Sequence, residues 1–436
     1  MTQRLISALA ISLLLAGSTA AQDRKTFRVG TASAARGQKV TGTIEVPPGS
    51  DAALSIPVAV IHGAKPGPVL ALVAGSHGTE YASIIALEKL ITQLNPADIS
   101  GTVIIVPLIN IPSFEQKVPH LNSVDKKSMN RFYPGKMDGT QTERASYLIT
   151  KQVVEQCDHL IDLHGGDTDE SLRPYSYWTR TGNEKQDQIS REMVLAFGLD
   201  HIIISTERPK DPQASRYLEN TATTRGKPSI TAEAGHAGTV ETDDLNALID
   251  GCLNVMRYLK MLPGTAAMVQ DPVWIEKIAT VASEQTGIFY PLVKRGTYVQ
   301  QGMKIGYVTD YFGNVSFEAR APGCRDRFVY LRRTINDEKR NHREHRSGSS
   351  VKGQSIGQIT QLHQYLFRYL YSFIANCIEI RSLDVGGEEI DIAVGFQIAD
   401  EPANIFPFRY RATSSLSAQG ISRSFLQHEN VFNNIN

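Results

Sequence analysis

The chain has no surplus of either charge: 45 Lys and Arg offset 45 Asp and Glu. With no basic field to attract them, nucleic acid and anionic membrane surfaces drop out as partners. Cysteine is scarce, at four among 436 residues, which excludes a disulfide scaffold. Cys157 and Cys252 lie in the well-patterned part of the chain, where they either pair or stay buried thiols. No apolar run reaches the ~20 residues a membrane span needs. Leu5 to Gly17 is uncharged and apolar, follows Arg4, and precedes Ser18-Thr19-Ala20-Ala21. This reads as a cleaved secretory signal over residues 1–21. The expectation is an exported protein, periplasmic or secreted, with no stable membrane insertion after cleavage. Internal repeats and low-complexity tracts are also missing.

What remains is an alternation of strand and helix patterns. Val40 to Val46 and Ile56 to Ile61 read as strands. So do Val69 to Ala74, Thr102 to Leu108, His159 to Leu163, His201 to Ile204 and Ser229 to Ala232. Helical patterns over 81–94, 143–156, 185–197 and 241–261 separate the later ones. The order predicts an α/β domain over 22–265 whose largely parallel sheet is covered by helices. Residues 266–323 break into short strands at glycine turns, beginning with Val273 to Ala279, and predict a small C-terminal all-β domain.

Three strand ends collect polar residues that a buried sheet does not need. Gly75-Ser-His77-Gly-Thr-Glu80 puts a histidine and a carboxylate three apart at a strand–helix junction. Asp162-Leu-His164-Gly-Gly ends a second strand and Thr231-Ala-Glu233-Ala-Gly a third. Ligands of open α/β sheets bind beyond the carboxyl ends of the strands, so the three converge on one crevice. Zinc accepts histidine nitrogen and carboxylate oxygen, and a catalytic site with two histidines and one glutamate leaves a position for water. His77, Glu80 and His164 supply that set, and Glu233 is the carboxylate left over to accept a proton. Any one histidine alone reads equally well as a helix cap or a core filler, and a lone H-x-x-E is a weak signal. Asp162 either orients a ligand or serves the core.

These motifs, together with Met129-Asn130-Arg131-Phe132-Tyr-Pro-Gly135, resemble the succinylglutamate desuccinylase/aspartoacylase family, deacylases related to zinc carboxypeptidases. The resemblance spans roughly residues 40–323. It implies a carboxypeptidase-like fold and a hydrolase with one Zn2+ per chain that cleaves the amide of an N-acyl amino acid or a related small carboxylate. It also implies metal ligands His77, Glu80 and His164, a catalytic Glu233, and a substrate site at Asn130 and Arg131. Arginine's planar fork suits a substrate carboxylate. Relatives usually carry an arginine where this chain has Lys117, which keeps the charge but loses the fork. Two other readings stand beside the deacylase: a zinc carboxypeptidase acting on short or cell-wall peptides, and an inactive binding protein that keeps the pocket.

From Gly323 onward the pattern stops. Arg325 to Arg346 holds 8 basic and 4 acidic residues with no apolar period. With codons chosen among those the code permits, back-translation from Asp326 with one base dropped can be read Ile-Val-Leu-Tyr-Ile-Cys-Ala-Val-Pro-Ser-Met-Thr-Lys-Ser-Glu-Thr-Ile-Ala-Asn-Ile-Gly, a strand, a turn and a strand. The expectation is that residues 324–436 are an out-of-frame, poorly ordered extension; the alternatives are a genuine extra domain, with the charged run as a solvated linker or a basic binding arm.

Overall fold

The computed structural model describes residues 24–322 except 207, 208 and 284, and beyond them only the backbone of four short strands. The signal segment 1–21 lies outside the described residues, as does the extension 324–436 apart from those strands. In the last unit, residues 381–436, Ile390–Asp391 pairs antiparallel with Arg411–Ala412.

The chain opens with β1 (Thr26–Val29), β2 (Ala32–Ala35), β3 (Gln38–Val46), β4 (Leu54–His62) and β5 (Lys65–Val73). Helix α1 (Tyr81–Gln93), β6 (Ser100–Val106), α2 (Ile111–Gln116), α3 (Gln141–Ile149) and β7 (His159–His164) follow. Next come β8 (Ser171–Leu172), β9 (Tyr175–Thr179), α4 (Glu184–Phe197), β10 (His201–Ser205), α5 (Leu218–Thr223), β11 (Ser229–Glu233), α6 (Thr242–Tyr258) and β12 (Val273–Ile275). Nine strands form one sheet in the order β12-β10-β9-β11-β7-β5-β6-β4-β3. Five of the eight pairings are parallel: β12–β10, β10–β9, β11–β7, β7–β5 and β5–β6.

The apolar run in β5 follows from a sheet covered on both faces. Leu70 and Leu72 enter the core under α1, α4 and α6, while Val69, Ala71 and Val73 enter the opposite core with α3 and β1–β2. Burying each such side chain stabilises the fold by roughly 1.5–3 kcal/mol. Cys252 belongs to the first core and Cys157 to the second, and both are free thiols. The sheet separates them, so they do not pair. Burial pushes the Cys157 thiol up to about 12.

Two details differ from the sequence reading. Tyr175–Thr179 forms a strand that the pattern did not reveal, antiparallel to β11 and parallel to β10. Val273–Ile275, read as the opening strand of the β-domain, instead pairs parallel with β10 at the edge of the main sheet. The β-domain then continues with β13 (Lys277–Ala282), β14 (Ile288–Pro291), β15 (Tyr298–Val299), β16 (Lys304–Thr309) and β17 (Val315–Arg320). β14, β16 and β17 make an antiparallel sheet over a small core of Phe289, Val299, Ile305, Val308, Ala319 and Ala321.

Candidate active site

β11, β7 and β5 are adjacent in the sheet, and each carries a site residue at or just beyond its carboxyl end. Beyond β5 the chain turns at Gly75, whose φ of +68° is the left-handed region that favours glycine. A Cβ there would sit 2.8 Å from the Leu108 backbone. His77 and Glu80 follow this turn. Glu80 occupies the N-cap of α1, yet its side chain does not cap the helix. Its carboxylate faces two imidazoles instead: Oε1 lies 2.7 Å from His77 Nδ1 and Oε2 2.9 Å from His164 Nδ1. The Gly165 N–H also donates to Oε2, at 3.2 Å.

All three side chains are nearly removed from solvent, and their ligand atoms lie within 4.8 Å of one another. Burial works against the charge on Glu80, but the two histidines outweigh it and hold the carboxyl well below its usual range. Burial lowers His77. Burial also opposes the proton on His164, but the charges of Asp162 and Glu80 prevail and hold that imidazole up. On its far side, His164 Nε2 lies 3.2 Å from Asp162 Oδ1 and 3.2 Å from Asn130 Nδ2. Two nitrogens and a carboxylate are a donor set that suits zinc, and a carboxylate behind a histidine is the usual company of a metal-ligating imidazole.

Glu233 ends β11 directly opposite His164 in the parallel register, with Tyr175 opposite it on the other side. Burial pushes its carboxyl up to about 8; the charge of His164 opposes this, while those of Glu80 and Asp162 add to it. Arg295 of the β-domain reaches the next turn, donating to the Gly235 carbonyl at 3.1 Å and the Leu172 carbonyl at 2.9 Å, and pairing with Asp244 at 3.0 Å. The small domain is thereby tied to the loop that follows Glu233.

Asn130 is buried and held from both ends, accepting from the Leu218 N–H at 2.8 Å through Oδ1 while Nδ2 faces His164. Arg131 is exposed. Its Nη1 donates to the Asn130 carbonyl at 2.7 Å and its guanidinium lies 4.8 Å from the Tyr217 ring centroid. No described carboxylate pairs with it. Lys117 stands apart, an exposed C-cap of α2 with φ of +53°. None of its described contacts joins it to the histidines.

The residue that does meet them is His120, which the sequence reading passed over. Its ring centroid is 5.6 Å from that of His77, edge-on, and its nitrogens face Asp167 at 3.3 Å and Asp169 at 2.9 Å. Asp167 is fully buried and also accepts from Thr79 Oγ1, so it joins the His77–Glu80 loop to the loop after His164. The acidic run Asp167-Thr-Asp169-Glu170, two glycines after His164, was the available signal.

Residues 66–259 match the family model of the succinylglutamate desuccinylase/aspartoacylase catalytic domain. That segment is similar to the succinylglutamate desuccinylase/aspartoacylase family. The N-alpha-acetyl-L-2,4-diaminobutyric acid deacetylase of Halomonas elongata is 29% identical over 262 residues, covering 59% of this chain and 75% of that relative. A succinylglutamate desuccinylase from Silicibacter sp. TM1040 superposes with a TM-score of 0.62 at 21% identity, over 72% of this chain and 95% of that one. The product-bound ectoine utilization protein EutE (DoeB) of Ruegeria pomeroyi gives 0.61 at 23%, over 72% and 92%. The structural likenesses carry the fold alone.

Proposed function

We propose that this chain is an exported, zinc-dependent deacylase that hydrolyses the amide bond of an N-acyl amino acid. The observation that carries the reading is the convergence of His77, Glu80 and His164 on one point, with Glu233 one strand away and outside the triad. The relation to a deacetylase of an acetylated amino acid supports the substrate class. His77 Nδ1, a Glu80 oxygen and His164 Nδ1 would hold the metal. Zinc, when bound, supplies Lewis-acid polarisation at that point. The substrate's carboxylate is taken by the Arg131 fork, and the buried Asn130 amide fixes the arginine's backbone beside the histidines. Glu233 accepts the proton of the attacking water and returns it to the leaving amine nitrogen. A carboxyl raised toward neutrality suits both directions of that transfer. Lys117 is proposed as a second cation for the substrate.

Purified protein supplied with zinc is expected to release free amine from N-acetyl-2,4-diaminobutyrate or another N-acyl amino acid, and Glu233→Gln is not. Cleavage of short peptides alone would overturn the deacylase in favour of a carboxypeptidase. No hydrolysis of either would leave a binding protein. Export rests on the Leu5–Gly17 segment, and amino-terminal sequencing of the mature protein tests it: a chain that still begins at Met1 refutes it. The shifted frame after Gly323 is tested by resequencing the gene, where an unbroken frame refutes it.

A further inference from the structure

Beyond its last pair, Glu233 opposite His164, the ladder of β11 and β7 gives way to two loops. The loop after His164 begins with Gly165 and Gly166, and the loop after Glu233 begins with Ala234 and Gly235. They run backbone to backbone. A Cβ on Gly166 would lie 2.7 Å from the Gly235 carbonyl oxygen, so the approach needs glycine. The Gly238 N–H donates to the Gly166 carbonyl at 3.0 Å, and the Ala237 N–H to the Glu170 carbonyl at 2.7 Å. With the ladder ended, the spacing of these loops sets how far Glu233 stands from His164.

One side chain of the β-domain closes over both loops. Arg295 sits in the tight turn 294–297 between β14 and β15, where the Thr297 N–H donates to the Lys294 carbonyl at 3.2 Å. Its Nη1 reaches the Gly235 carbonyl at 3.1 Å on one loop and the Leu172 carbonyl at 2.9 Å where the other loop ends in β8. The guanidinium is anchored at the start of α6. Nη1 and Nη2 straddle the Asp244 carboxylate at 3.3 and 3.0 Å, and Nη2 meets Glu241 at 3.0 Å. Asp244 is 2% exposed, and a carboxylate so deeply buried is costly without its cation, which keeps the arginine in place. A planar fork of fixed N–H groups serves two carbonyls and two carboxylates at once; the single ammonium of lysine does not. None of the described contacts of Arg295 is with Glu233 or with a proposed metal ligand.

We infer that Arg295 is a positioning residue for the proton transfer: it clasps the loop after His164 to the loop after Glu233 and so sets the distance between the Glu233 carboxylate and the point where His77, Glu80 and His164 converge. The β-domain is thereby a working part of the active site, required for turnover and not for zinc uptake. The inference rests on the deacylase reading above. A displacement of about 1 Å at a reacting group costs up to ~100-fold in rate, even when the altered residue is remote from the chemistry.

The test compares the full chain with its Arg295→Ala, Arg295→Lys and Glu241→Gln variants. Three quantities are measured: steady-state kinetics on an N-acyl amino acid, zinc affinity by chelator competition, and amide hydrogen exchange by mass spectrometry. Both Arg295 variants are expected to lose ~10–100-fold in kcat, with KM and zinc affinity unchanged, and to exchange faster in peptides covering 165–172 and 234–239. Arg295→Lys keeps a cation beside Asp244, so its loss isolates the fork. Free guanidinium ion, against sodium chloride at equal ionic strength, is expected to restore part of kcat in Arg295→Ala. Glu241→Gln removes only an ion pair whose carboxylate is 46% exposed, and it leaves kcat and exchange unchanged. Unchanged kcat or unchanged exchange in both Arg295 variants overturns the inference, as does a loss of zinc that accounts for the fall in kcat. If Arg295→Ala does not fold, Arg295→Lys decides. An unmodified protein that hydrolyses no N-acyl amino acid refutes the deacylase reading itself, a result separate from the exchange data that test the clasp.

Discussion

Glu219 gives the prediction whose size follows most directly from the structure. The residue is 4% exposed on α5. Its Oε2 accepts from Thr179 Oγ1 at 3.2 Å and Asn220 Nδ2 at 3.0 Å, and Oε1 faces Ser229 Oγ at 3.5 Å. No described cation pairs with it. Burial pushes its carboxyl from 4.5 to about 8; the Thr179 bond opposes this and the Asp162 charge adds to it. Below about pH 4.5 the group is neutral in both folded and unfolded chains. Between there and about 8 the unfolded chain ionises and the folded one does not, so stability is lost across that window and levels off above it. At ~1.36 kcal/mol per tenfold change in proton affinity the full span corresponds to roughly 5 kcal/mol. Glu219→Gln reproduces the neutral acid, with an amide to donate to Ser229 and no proton to lose. Urea unfolding of both proteins from pH 5 to pH 8.5 is expected to give similar stabilities at the acid end. At the alkaline end the variant is expected to be ahead by a few kcal/mol. All other titrating groups are shared, so parallel pH profiles would refute the reasoning.

Glu233→Gln is expected to cost ~10²–10⁴ in kcat, the usual worth of a positioned general base, with zinc content unchanged by elemental analysis. Arg131→Ala is expected to raise KM for an N-acyl amino acid by ~10-fold or more, from the loss of a charge-assisted contact, while substrates lacking the carboxylate show no such rise. His120 touches His77 and Lys117 does not, so His120→Ala is expected to lower zinc affinity or kcat/KM more than Lys117→Ala does; steady-state kinetics and chelator competition on both variants check the order.

Much of this site is written locally in the chain. His77, Glu80, His164 and Glu233 each sit at the end of an apolar run, and a parallel sheet brings such ends together. Strand β5 was legible because helices cover both faces and make its whole carboxyl half apolar. Strand β9 was not: Tyr175-Ser-Tyr-Trp-Thr mixes polar and aromatic residues, because its aromatics serve two different neighbourhoods, Tyr175 beside Glu233 and Trp178 against Trp274. Val273–Ile275 was misplaced because a three-residue edge strand has no pattern of its own, and only β10 determines where it pairs. His120 was passed over for a related reason. Its partners Asp167 and Asp169 lie 47 and 49 residues away in sequence, and no spacing rule spans such a distance. Lys117 entered the functional reading through the family resemblance; the left-handed turn at the end of α2 leaves it exposed, while His120 meets the His77 ring.

The central claim is that His77, Glu80 and His164 together hold a zinc ion on which deacylation depends. The most direct measurement is the zinc content of the reconstituted, dialysed protein alongside its hydrolysis of an N-acyl amino acid, for the unmodified chain and for His164→Ala. The account predicts about one zinc per chain and hydrolysis in the first, with neither in the second. Hydrolysis that survives the loss of zinc, or full zinc retention in His164→Ala, would contradict it.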